Sequence, residues 1–103
     1  MGMRIYWTQT ALTNLEDIFD YYKLNTSLKV ARKLVKEIVA TTLLLQYRPK
    51  IGRKEELLQN RKFEYRFLVV RNYKIIYWTE DNYIKIATVF DTRQDPKKIE
   101  KIL

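Results

Sequence analysis

Three β-type runs follow one another between Tyr65 and Arg93, separated by only a few polar residues. That spacing leaves room for little but neighbouring antiparallel strands. Arg71-Asn72 divides the first run from the second, and Glu80-Asp81-Asn82 the second from the third. Side chains alternate faces along a strand, so residue parity sorts each run. In the first, Tyr65, Phe67 and Val69 oppose Arg66, Leu68 and Val70; in the second, Tyr73, Ile75 and Tyr77 oppose Lys74, Ile76 and Trp78. In the third, Ile84, Ile86 and Phe90 oppose Lys85, Ala87, Val89 and Asp91, and Arg93 continues that second parity. On this reading Arg66, Lys74, Lys85 and Arg93 project from one face of one small sheet, as a polyanion-binding or catalytic surface. Tyr65, Phe67, Tyr73 and Tyr77 are then expected in the core behind it.

The first half of the chain has a different period. Met3 to Trp7 reads as a short strand. Thr8 is a good N-cap, and Leu12, Leu15, Ile18, Phe19 and Tyr22 recur on one stripe, predicting a helix over Gln9 to Lys23. Asn25-Thr26-Ser27 breaks it, and Ser27 can cap a second helix with Ala31, Leu34, Val35, Ile38, Thr42 and Leu45 inward. Lys29, Arg32, Lys33, Lys36 and Glu37 lie on or near its outer side, and Pro49 and Gly52 stop it. Two helices alone cannot bury both faces, so the strands supply the missing layer. The expected fold is α+β, ordered β-α-α-β-β-β, with a helical hairpin packed on one face of a small twisted antiparallel sheet. The other face, or part of it, is left to a partner. Asp95-Pro96 starts a short C-terminal helix or tail in which Ile99, Ile102 and Leu103 are placed to dock.

At 103 residues the chain fits one domain, 1–103. Its net charge of +8 is unevenly placed: residues 48–74 hold nine basic side chains against Glu55, Glu56 and Glu64. A field of this kind suits an anionic partner, whether nucleic acid, ribosome or acidic protein segment. The absence of both cysteine and histidine removes disulfides, the usual zinc sites and Ser-His-Asp or Cys-His catalysis. No metal or other cofactor is expected, and any chemistry would rest on Lys, Arg, Tyr, Glu or Asp. Met1 to Trp7 lacks an apolar leader core and no window approaches a membrane span, so a cytoplasmic location away from membranes is expected.

Several ordered segments carry a family resemblance. Ile5-Tyr6-Trp7-Thr8-x-x-Ala11-x-x-x-Leu15-x-x-Ile18-x-x-Tyr21 resembles the opening of the RelE/ParE superfamily of type II toxin–antitoxin toxins. Pro49-x-x-Gly52-Arg53, Glu64-Tyr65-Arg66, Tyr73-Lys74-Ile75-Ile76-Tyr77 and Val89-Phe90-Asp91-Thr92-Arg93 follow in the family's order. The resemblance implies a small growth inhibitor neutralised by a cognate antitoxin, whose segment folds on the toxin and presents acidic residues to it.

Two branches of the superfamily imply different chemistry. RelE-like members cut mRNA on the ribosome without a metal, using the RNA's own 2′-hydroxyl. By position, that branch would make Arg66, Lys74 and Arg93 catalytic. Where such an RNase would place Tyr or His after Arg93, this chain has Pro96, Lys97, Lys98 and Ile99. ParE-like members poison DNA gyrase by binding, and the long second helix and the opening helix pattern look more like that branch. An inactive homologue kept as an antitoxin-binding module is a further alternative. In the binding readings, Arg53, Lys74, Trp78, Lys85 and Arg93 are the candidate partner or nucleic-acid contacts. Each has a plainer alternative: Arg93 as a loop ion pair, Lys74 as a guard against edge aggregation, Lys85 as solvated surface, Arg53 as a loop anchor.

Overall fold

The computed structural model describes residues 2–103. The elements run β1 (Arg4–Trp7), α1 (Gln9–Asn25), α2 (Leu28–Leu43), β2 (Arg53–Lys54), β3 (Arg66–Val70), β4 (Tyr73–Glu80), β5 (Tyr83–Asp91) and α3 (Lys98–Ile102). Single 3-10 turns lie at Leu44–Gln46 and Glu56–Leu58. The capping expectations hold. Thr8 and Ser27 accept from the backbone N–H groups of Ala11 and Val30 at 3.2 and 3.1 Å.

The five strands form one sheet in the order β1-β5-β4-β3-β2. Three of its four pairings are antiparallel, as expected. β1 instead runs parallel to β5, making the sheet mixed. The physical reason is the return path: the chain leaves β1, crosses the sheet through the helical hairpin, and comes back beside β1 only with its last strand. β2 is a two-residue piece at the sheet edge.

The helical hairpin packs on one sheet face. Ala11, Ile18, Leu34, Ile38 and Leu45 meet Val70, Tyr73, Ile75, Tyr77, Ile84, Ile86 and Val89 there. The opposite face is not bare. Leu58 and Ile99 close over Ile76, Ala87 and Phe90, with Tyr65, Phe67, Trp78 and Leu103 around them. Of the three tail residues expected to dock, Ile99 is fully buried and Leu103 partly, while Ile102 faces solvent.

Candidate partner-binding surface

Two local features decide where each cation points. The β3–β4 hairpin closes on the two-residue turn Arg71-Asn72, with Val70 opposite Tyr73. A two-residue turn pairs an even-numbered position with an odd one, so Arg66 lies opposite Tyr77, and Lys74 opposite Val69. Arg66 therefore shares the helix-side parity of Leu68 and Val70, whereas Lys74 points to the other face. The second feature is a bulge. Ile76 pairs with Thr88 but Tyr77 pairs with Ile86, leaving Ala87 unpaired and switching the parity of β5 beyond it. Val89 and Asp91 thus belong with the helix side, and Phe90 lies opposite Lys74.

The bulge is held in place by α1. The Thr8 hydroxyl lies 2.8 and 3.0 Å from the carbonyls of Ile86 and Ala87, donating to this pair. Asn14 Oδ1 accepts from the Thr88 hydroxyl at 2.8 Å and the Val89 N–H at 2.9 Å.

The expected single basic face therefore does not form. Arg66 is largely enclosed and organises the loop before β3. It donates to the carbonyls of Gly52 at 2.8 Å and Lys50 at 3.3 Å, and pairs with Glu64 at 2.9 Å. The same loop is fixed from β4: the buried Tyr77 hydroxyl donates to the Pro49 carbonyl at 2.7 Å and accepts from the Gly52 N–H at 3.1 Å. Burial raises the pKa of that phenol above its ordinary value. A Cβ at Gly52 would sit 2.6 Å from the Tyr77 oxygen and 2.8 Å from the Phe67 carbonyl, so this position needs glycine for close approach. The Pro49-x-x-Gly52 spacing is thereby explained as a clamp.

Lys74 crosses the far face to Glu55 at 2.8 Å, and its ammonium sits 4.1 Å from the centroid of the Phe67 ring. Glu55 is buried, and its carboxylate also accepts from the Leu57 N–H at 3.3 Å. This pair pins the segment carrying Leu58 onto the sheet. Lys85 lies farther along the same face, paired with Glu80 at 3.0 Å and between the rings of Tyr6 and Trp78. Hydrogen bonds from Lys85 and the Trp78 indole lower the Glu80 pKa. Trp78 is half-buried, stacked on Phe63 at 5.8 Å and tilted against Tyr65 at 5.5 Å.

Arg93 belongs to another region. Its guanidinium grips Asp91 through three contacts at 3.0, 3.2 and 2.7 Å, beside a cleft of about 480 Å³ whose lining includes Asn14, Asp17, Tyr21 and Tyr73. The Arg93 hydrogen bonds hold Asp91 at about 2, while the same carboxylate raises the guanidinium pKa. Burial, and then the neighbouring Tyr22 hydroxyl, push Tyr73 above its ordinary range. Arg53 is exposed on β2 and forms no ion pair among the described residues.

Reading the sequence missed the basic cleft that does assemble. Lys50 and Lys62 line a cleft of about 220 Å³ together with Phe63, Trp78, Arg66, Tyr77 and Glu64. Both lysines were counted in the basic segment, but nothing in their spacing says that a loop and a 3-10 turn bring them together. Among the described residues no group of three or more His, Cys, Asp or Glu side chains is arranged to hold a metal.

The family described as the ParE toxin of the type II toxin–antitoxin system parDE matches residues 5–96. The chain belongs to the ParE toxin family. Its fold is similar to a chain of the chromosomal ParDE toxin–antitoxin system from P. aeruginosa, with TM-score 0.73 and 22% identity over 87% of this chain and 96% of that one. It is also similar to the YoeB dimer from Staphylococcus aureus, with TM-score 0.54 and 25% identity over 86% and 95% of the two chains. A search of curated proteins finds no match. Membership makes it a toxin of the type II toxin–antitoxin class, and no helix in its described residues is long and apolar enough to cross a membrane.

Proposed function

We propose that this toxin arrests growth by binding its target, DNA gyrase, without making or breaking bonds in it. The observation that carries the reading is the separation of the basic residues. Metal-free RNA cleavage asks several preorganised cations to meet at one phosphate. Here Arg66 and Lys74 lie on opposite sheet faces, and Arg66, Lys74 and Arg93 each have a carboxylate of their own. The groups left open suit contact with a partner instead. Lys50 and Lys62 are exposed beside Phe63 and Trp78, and Arg48 and Arg53 are exposed on the preceding loop and edge strand. The antitoxin's acidic segment would neutralise the toxin by covering the basic loop.

The test is a supercoiling assay run beside RNA-end mapping after induced expression. Stoichiometric loss of gyrase supercoiling with intact transcripts is expected. Full gyrase activity at excess toxin, or codon-phased cuts ending in 2′,3′-cyclic phosphate, would overturn the reading in favour of an mRNA endoribonuclease.

A further inference from the structure

The outer side of the helical hairpin carries a groove that no element of this chain fills. It measures about 320 Å³ and is lined by Leu15, Phe19 and Val35, with Glu16 and Asp20 along the α1 edge. Its apolar floor is half-buried, and one turn along each helix Leu12 and Val39 are exposed as well, at 42% and 36%. On α2, the buried residues Ala31, Leu34, Ile38 and Thr42 all lie to one side of Val35. Arg32 and Lys36 are displaced about 60° and about 100° to the other side, at 100° per residue. The groove thus has an acidic edge on α1 and a basic edge on α2, at the same level along the hairpin. Glu16, Asp20, Arg32 and Lys36 form no ion pair among the described residues, because the apolar floor separates the two edges.

We propose that this face pairs with a second copy of the same chain. A two-fold axis across the groove would set acid against acid. An axis running along the groove sets Glu16 and Asp20 of each chain against Arg32 and Lys36 of its partner, and lays one apolar floor on the other. In that arrangement α1 packs antiparallel to the partner's α2, and the hairpins form a four-helix layer. The pairing leaves the far sheet face and the basic loop free, so it is independent of what the toxin inhibits.

Sedimentation of the purified chain tests it. A dimer is expected that weakens as salt rises. Arg32→Glu with Lys36→Glu gives a hairpin acidic on both edges, and Glu16→Lys with Asp20→Lys one basic on both. Each double variant is expected to keep its helical circular dichroism and raise the dimer Kd at least about tenfold. An equimolar mixture of the two is expected to restore dimerisation as a mixed pair. A wild-type chain that stays monomeric through the micromolar range, variants that dimerise as tightly as wild type, or a mixture that fails to pair would each overturn the proposal. Loss of antitoxin binding by these variants from a monomeric wild type would assign the groove to the antitoxin.

Discussion

The two faces of the sheet are closed in different ways. On the helix side, two long capped helices press an aliphatic surface onto Ile75, Ile84 and Ile86, all fully buried. On the far side a 3-10 turn and a five-residue helix cover a smaller patch, and an ion pair helps hold them down. The helix side draws its strength from area and packing, which tolerate no polar atom without a partner. The far side is assembled from short pieces that have little stability of their own, so single polar contacts matter there. The target contact proposed above falls on the face with the thinner cover, around the basic loop and the Phe63–Trp78 stack.

The sharpest way to break this comparison is to remove equal side chains from both faces. Ile86→Ala should cost about 4 kcal/mol, and Ile99→Ala nearer about 2 kcal/mol, because the short α3 can relax into the space. Denaturant unfolding measures both, and equal losses would erase the proposed difference. Next comes the buried pair. Lys74→Ala should cost about 3 kcal/mol, since Glu55 is left charged and enclosed, while Lys74→Met combined with Glu55→Leu should be close to neutral. A double variant as unstable as the single one would show that the pair is not what pins Leu58. Growth inhibition by the Lys74 single variant therefore has to be read beside its stability.

A smaller effect belongs to Asp91 and Arg93. The folded-state value of about 2 lies below the ordinary 3.8 of an aspartate, so this carboxylate stabilises the fold above about pH 4. The contribution is lost as pH falls from there through about 2. Because Arg93 is well exposed, the stability gap between wild type and Asp91→Asn should stay under about 1 kcal/mol and narrow over that interval. A gap that widens on acidification would contradict the assignment. Smallest of all, Arg53→Ala should move stability by less than about 0.5 kcal/mol, yet weaken growth arrest by weakening target contact. Unchanged toxicity would remove Arg53 from the contact surface.

How much of this was visible in the residues can be traced position by position. Thr8 and Ser27 announce their helices because capping is a local hydrogen bond. The stripes of α1 and α2 are visible because a helix repeats over many residues. The parity of Arg66 against Lys74 was also accessible, since Arg71-Asn72 is a two-residue turn that fixes which numbers face which; the misreading lay in matching even to even across it. The same error grouped Tyr65 and Phe67 with Tyr73 and Tyr77, which occupy separate cores. The bulge at Ala87 had no local mark: it is imposed by Thr8 and Asn14, more than seventy residues earlier. Glu55 looked like one more surface acid because its partner, Lys74, is nineteen residues away.

By itself the sequence determined the helical hairpin, the strand-rich second half, the basic charge and the family, since each depends on residue type at short range or on ordered spacing. Tertiary structure alone decided which cations share a face, because that is set by hairpin register, a bulge clamped from a distant helix, and carboxylates brought in by loops. Charge adds up along a chain, but its direction is a property of the folded sheet.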